Sequence, residues 1–347
     1  MDKKLHGLRD ESENEWSIEY IDLKGRGYTL RPRYHPDWTP PPEYGIVPSI
    51  STYPIPPFQN PYCLDAARAD GTLVYIKKVD REKHPTEAEI AQFLSSPGLL
   101  SNSHNHTVPV LDSFAHKTDP KVQYLVMPLL RPFDDPPFTT VKESIEFVHQ
   151  TLQGLAFMHE HNVAHRDCSA QNIMMDARDL YPNGWHPMSP WLTSDGTNWV
   201  TPQKNRCDVN IRYFFIDFGL STRFAPGEKR EVVGAKCSIY VPELSRDICY
   251  DPFKLDVYLL GNVFDEHICK AYIDVPFLVP LVKDMTAFNP NDRPTAKEAL
   301  KRWQDICKSK EASSMGGWLH KENETAPERL ARDLTSSAMY ALNRLRS

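Results

Sequence analysis

The feature that most constrains this chain is an acid and an amide five residues apart, Asp167 and Asn172. They lie in the polar segment His165-Arg166-Asp167-Cys168-Ser169-Ala170-Gln171-Asn172, between two apolar runs. Before it, Ile145, Val148, Leu152, Leu155, Ala156 and His159 fall at helical spacing, which predicts a helix over 145–161. After it, Ile173-Met174-Met175 reads as a short buried strand. A second apolar strand, Phe214-Phe215-Ile216, runs into Asp217-Phe218-Gly219, where the glycine permits a sharp turn. One carboxylate to take a proton, with an amide and a second carboxylate to hold a hard divalent metal, is the equipment of phosphoryl transfer.

Bulk properties narrow the class. The 347 residues suffice for one large two-lobed domain or two small ones, and 40% hydrophobic content supports a sizeable core. A net charge of −6 gives no nucleic-acid surface. Seven cysteines without a C-x-x-C pair argue against a disulfide framework or zinc site and for thiols in a reducing compartment. The polar start, Met1-Asp2-Lys3-Lys4, has no apolar signal region, and no apolar run approaches a membrane span. The expected address is cytoplasm or nucleus.

The two acid motifs in this order resemble the H-R-D-x-x-x-x-N catalytic loop and D-F-G of the eukaryotic protein kinases. Val241-Pro242-Glu243 looks like their A-P-E, Asp256 to Gly261 like D-x-W/Y-x-x-G, and Asp292-Arg293-Pro294-Thr295 like the late N-x-R-P-T/S. Val74-Tyr75-Ile76-Lys77 resembles V-A-I-K, and Glu89-Ile90 with Phe93-Leu94 resembles E-I-x-x-L-L. The resemblance implies an α+β, two-lobed protein-kinase-like fold. A small β-rich lobe would occupy 62–130 and a larger, mainly helical lobe 131–310, with an insertion at 176–212. An extension, 1–61, would precede the domain and a tail, 311–347, follow it. It also implies ATP and Mg²⁺ as cofactors and a protein substrate. Asp167 would be the catalytic base, Asn172 and Asp217 the metal ligands, and Lys77 the phosphate-neutralising cation held by Glu89. Glu87 is the alternative partner, and Glu89 also sits at a capping-box distance from Thr86. Met127 would be the gatekeeper, and Leu129 and Leu130 the hinge beside adenine. The Glu243–Arg293 pair belongs to a protein-substrate segment.

Several regions stand apart. Residues 1–35 carry Trp16, Ile18, Tyr20 and Ile21, read as a strand or docked arm. Residues 36–61 hold nine prolines, which favours extended polyproline geometry. They read either as a docking peptide for a partner or as an extension wrapped on the small lobe. The insertion, with Trp185, Trp191 and Trp199, is too aromatic for full disorder and is a second candidate partner surface. Residues 244–306 read as the helices of the large lobe, and 329–345 as a helix that docks or stays mobile. From Arg223 to Cys237 there is no Ser, Thr or Tyr. No phosphate for Arg166 to grip can be placed there, so no activation by phosphorylation of this stretch is expected, and Glu228 or Glu231 could stand in as a fixed anion.

Three departures separate the chain from its relatives. The G-x-G-x-x-G loop is missing: Pro54 to Pro61 stands in its place, and proline has no N–H for a phosphate. Ser169 occupies the position of the catalytic-loop Lys, and Lys236 that of a Thr. The paired change suggests that the two have exchanged roles, Ser169 supplying the hydroxyl and Lys236 the cation. The expected function is a divergent ATP-dependent Ser/Thr protein kinase. The alternative is a pseudokinase, a scaffold or binding module that keeps the fold without the reaction.

Overall fold

The computed structural model describes residues 9–39, 60–234, 239–308 and 317–346. Residues 40–59 of the proline-rich stretch, Lys236 and Ser238 therefore lie outside the described residues. The chain divides into two units. The first gathers the described residues up to Ala88 with Pro109–Leu129 and Tyr181–Pro202. The second holds Glu89–Val108, Leu130–Leu180 and everything from Gln203.

The first unit is built on five antiparallel strands in the order β1-β2-β3-β5-β4: β1 (Tyr28–Thr29), β2 (Cys63–Arg68), β3 (Leu73–Asp80), β4 (Asp112–Ala115) and β5 (Val122–Pro128). Asp70-Gly71 turns the β2–β3 hairpin, with Gly71 at φ 81°, where a Cβ would strain the backbone. The sheet curls, so Tyr28 on one edge donates its hydroxyl to Asp112 on the other at 2.7 Å. Burial and that carboxylate push the Tyr28 phenol up to about 12.

Alternation assigns the two faces. Leu64, Ala66, Val74, Ile76, Tyr124 and Val126 point into one core. That core is closed by Trp16, Tyr20 and Leu23 of α1 (Glu11–Gly25), spaced i, i+4, i+7. The expected strand or arm is thus a helix. Its start is fixed by a reciprocal capping box: Asp10 Oδ1 accepts from Glu13 N at 2.8 Å, and Glu13 accepts from Asp10 N at 3.0 Å. Glu13 is shared with Arg33 in an ion pair of which each side chain is 1% exposed. Trp16 also donates its indole N–H to Pro61 O at 2.9 Å. The segment is part of the fold of this unit and not an appendage to it.

The insertion enters the same unit through Tyr181–Pro202. Its turns are closed by isolated bridges, His186 to Ser189 and Leu192 to Trp199. Trp185 and Leu192 are buried, while Trp191 and Trp199 are exposed.

In the second unit the long helix carries the core. Elements preceding it are α2 (Glu87–Leu94), whose turns from Glu89 belong here, α3 (Pro97–Leu100) and β6 (Arg131–Pro132). The long helix α4 (Val141–Glu160) starts at a Thr140–Glu143 capping box and buries Phe147, Val148, Leu152 and Leu155. Around it lie β7 (Val163–Ala164), β8 (Ile173–Asp176), β9 (Arg212–Phe215), β10 (Thr222–Arg223), β11 (Val232–Gly234) and β12 (Ser245–Tyr250). Helices α5 (Pro252–Phe264), α6 (Val279–Met285), α7 (Ala296–Lys308) and α8 (Ala326–Arg346) complete it. β6-β8-β9, β7-β10 and β11-β12 form three small antiparallel sheets. The strand β12 corrects the all-helical reading of 244–306. Its residues Ser245 to Cys249 have no helical apolar stripe, and pairing with β11 satisfies their backbone. A Cβ on Gly261 would lie 2.8 Å from Met285 Cβ, so this glycine lets α5 and α6 approach closely.

The tail docks. Val141 N donates to Gly317 O and Leu319 N to Thr139 O, and Ile273 N donates to His320 O. Tyr340 of α8 bonds Glu143 and lies edge-on to Trp318. The Arg344 guanidinium pulls the Asp208 carboxyl down to about 2. Among the described residues no helix is long and apolar enough to cross a membrane, and the described cysteines, Cys237 lying outside them, form no disulfide.

Candidate active site

The catalytic loop of the second unit is held by α5. Asp256 is wholly buried, and its carboxylate accepts from His165 N at 2.8 Å, Arg166 N at 2.6 Å and His159 Nε2 at 3.0 Å. Charge-assisted bonds of this kind fix the backbone where Arg166 adopts φ 67°, a conformation rare outside glycine. His165 then joins the loop to the second acid. Its Nε2 donates to Ile216 O at 3.0 Å, and its Nδ1 accepts from Asp167 N at 3.3 Å.

Asn172 ties the amide to the first acid. Its Nδ2 donates to Asp167 Oδ2 at 2.8 Å and to Asp167 O at 3.0 Å. Ile216 N donates to Asn172 O at 2.9 Å, which brings β9 and its exit turn to the loop. There Asp217 sits at φ 63° and ψ 81°, its Oδ1 accepting from Gly219 N at 3.1 Å. Phe218 is buried against the His165 ring, 5.3 Å between centroids. Asp167, Asn172 and Asp217 are thus gathered by one network. With its nitrogen engaged by Asp167, the Asn172 amide keeps Oδ1 as its hard oxygen donor. Among the described residues no group of three or more His, Cys, Asp or Glu could hold a metal. One carboxylate and one amide oxygen are hard donors, the kind that an ion such as Mg²⁺ takes beside water or phosphate oxygens.

Lys77 lies on β3 of the first unit, and its Nζ is 2.5 Å from Glu87 Oε1. This corrects the expected partner: Glu89 is exposed. The reason is helical geometry. Glu87, Ala91 and Leu94 share the buried side of α2, and Glu89, about 200° round from Glu87, points away. Tyr75, Lys77 and Asp65 share the sheet face opposite α1, because Leu64, Ala66, Val74 and Ile76 take the α1 side. Arg31 Nε lies 3.1 Å from Asp65 Oδ1, and His186 of the insertion is within electrostatic reach of both. Burial, then Arg31, lower the His186 pKa. Met127 pairs with Tyr75 in the ladder and is partly buried. Leu129 is buried and Leu130 partly so, just after β5 ends.

Ser169 lines a cavity of about 240 Å³ with Gln171, Asn262, Glu266 and His267. Its proposed counterpart, Lys236, lies outside the described residues, so the exchange of roles stays an expectation. Glu243 and Arg293 form a two-pronged pair, Nη2 to Oε2 at 2.9 Å, with Arg293 wholly buried.

The resemblance to the kinases now rests on geometry as well as motif. Residues 63–278, more than half of the chain, match the protein kinase domain family. This chain belongs to that family. It is 30% identical to cyclin-dependent kinase 7 of Carassius auratus, with 67% of this chain and 75% of the fish protein covered. It is 21% identical to sperm motility kinase Z of Mus musculus over 44% of this chain. The match spans 29% of the mouse protein's length.

Within this kinase domain Arg166 reaches several neighbours. Its Nη1 donates to Leu220 O and Thr222 Oγ1, each at 3.2 Å. Its Nη2 donates to Val233 O at 3.1 Å and lies 3.4 Å from the Tyr250 hydroxyl. Glu228 instead accepts from Ala225 N, and Glu231 pairs with Lys229. Neither is the fixed anion that the sequence suggested, because each is spent on its own turn. Tyr250 was not anticipated. Its hydroxyl lies in a stretch with no helical or alternating signal strong enough to place it.

Proposed function

We propose that this chain is an ATP-dependent protein kinase that transfers the γ-phosphate of ATP to a protein hydroxyl, with Ser/Thr as the acceptor class. The observation that carries the reading is the network that binds Asp167 to Asn172 and Asn172 to Ile216, the residue before Asp217. It supports a proton acceptor and two oxygen donors fixed relative to one another before any ligand arrives, which is what electrostatic catalysis requires. Asp167 orients the acceptor hydroxyl and takes its proton late. The Asn172 amide oxygen and the Asp217 carboxylate would hold Mg²⁺, which when bound offsets charge on the phosphates. Lys77, kept in place by Glu87, adds a cation for the α- and β-phosphates. The substrate is a protein, and the proposed address is cytoplasm or nucleus. The test is transfer of labelled phosphate to Ser- and Thr-containing peptides by wild type and Asp167→Asn. Transfer by the wild type that the substitution abolishes supports the reading, and no transfer by either protein counts against it.

A specific observation favours a second reading, a pseudokinase scaffold. The link from β1 to β2, residues 30–62, has a single glycine, Gly45, where the family carries its glycine-rich loop. The face that bears Lys77 also bears the bulky Tyr75. Nucleotide binding weakened beyond use by these two features would leave the fold with a docking role. Tyr75→Ala that tightens ATP binding would identify the ring as the obstruction.

A further inference from the structure

The Arg166 guanidinium is a charged group that meets neutral oxygens: two carbonyls and two hydroxyls, from four places in the second unit. Those places are the turn after Asp217, β10, β11 and β12. Among the described residues no carboxylate pairs with it. The Tyr250 hydroxyl that meets Nη2 donates onward to Gly234 O at 3.0 Å. Tyr250 also pairs with Val232 across the β11–β12 ladder, and its side chain is buried. Gly234, at φ 132°, leaves the guanidinium its space: a Cβ there would stand 3.2 Å from Arg166 Nη2. The segment that follows Asp217 is therefore clamped to the catalytic loop by a strand and a phenol, in a stretch with no Ser, Thr or Tyr between Arg223 and Cys237.

We propose that Tyr250 is a positioning residue. It holds Arg166, and through it Asp167, in the working arrangement and makes phosphorylation of the central segment unnecessary. The inference rests on the kinase reading for its catalytic consequence, but the clamp itself does not. The geometry is that of a three-way junction: the ring fixes the β11–β12 register, the hydroxyl ties Gly234 to Arg166, and Arg166 is the residue next to the base. A hydrogen bond to a charged donor contributes enough that its loss from the positioned state lowers turnover about tenfold.

The experiment compares full-length wild type with Tyr250→Phe, which keeps the ring and deletes the hydroxyl, before and after phosphatase treatment. Expected are a wild-type rate unchanged by phosphatase, and in Tyr250→Phe a kcat about tenfold lower with KM for ATP unchanged. A wild-type rate that phosphatase lowers, or a Tyr250→Phe kcat equal to wild type, overturns the proposal. Amide exchange at 232–234 gives a readout that needs no turnover. Faster exchange in Tyr250→Phe at unchanged melting temperature supports the clamp. If that occurs in a protein that transfers no phosphate, it counts against the kinase reading alone. Exchange identical to wild type overturns the clamp whatever the activity.

Discussion

The two units keep different things. In the second, every group that fixes the acids is in place: Asp256 under the catalytic loop, His165 between loop and exit turn, Asn172 on Asp167. In the first, the ion pair of Lys77 is present, but the surroundings have been rebuilt. A capped helix from the N-terminal segment closes one face of the sheet, a long proline-rich link replaces a glycine loop, and the insertion joins the same unit. The bonds that fix the acids are the ones the family motifs lead one to expect, whereas the first unit adds packing from the N-terminal helix and the insertion. A kinase can tolerate this if the phosphates are held by charge and metal more than by backbone N–H groups.

The largest effects are expected where each unit hides an ion pair. Arg33→Ala strands Glu13 in the first, and Arg293→Ala strands Glu243 in the second. Leaving one buried charge alone costs about 3–5 kcal/mol. Chemical denaturation should show both losses at similar size. A cost below about 1 kcal/mol for Arg33→Ala would mean that the N-terminal segment is not integral to its unit, and the comparison would break there. Next in size is Asp217→Asn, which should lower phosphotransfer by about 10²–10³, the loss typical of one charge-stabilising group. Turnover within tenfold of wild type would remove Asp217 from the metal site.

A smaller and sharper effect separates two glutamates on one helix. Glu87→Gln should reduce kcat/KM about tenfold, because it removes the charge that orients Lys77. Glu89→Gln, on the exposed side, should stay within twofold. The opposite order would restore the partner that the sequence suggested.

The smallest effect concerns the tail. His320 sits between Asp274, 3.1 Å from Nδ1, and Asp333, 3.0 Å from Nε2. Burial lowers its pKa, but the two carboxylates together outweigh burial and the net shift is upward from 6.5. A raised folded-state value means stability that is complete below pH 6.5 and is lost as pH rises through the folded pKa. His320→Gln should therefore cost about 1 kcal/mol or less at pH 6 and less still at pH 9, measured by melting. A cost that grows with pH would reverse the assignment.

Much of this was legible in the residues. Motifs that make backbone bonds have fixed spacing, so Asp167, Asn172 and Asp217 could be named from their order and separation along the chain. The β-rich reading of 62–130 had its clearest signal in Val74 to Lys77, which lies in β3. Glu87 was harder, because two glutamates two residues apart differ only in which side of a helix they occupy, and the start of α2 decides that. The helix at 11–25 was hidden: its buried stripe is Trp16, Tyr20 and Leu23, interleaved with the exposed β-branched Ile18 and Ile21. Its capping box, Asp10 with Glu13, was the available signal. Strand β12 and Tyr250 had no local signal at all, since a partner strand that comes earlier in the chain creates them.

The proposed function rests most heavily on Asp217 serving a working metal–nucleotide site. The direct measurement is a melting-temperature titration with ATP, with and without Mg²⁺, on wild type and Asp217→Asn. A ligand that binds only the folded state at about 100 times its Kd stabilises by about 2.7 kcal/mol. The account predicts stabilisation of that order in wild type with Mg²⁺, and little of it without the metal or in Asp217→Asn. No shift at millimolar MgATP, or a shift indifferent to both the metal and Asp217, would contradict it.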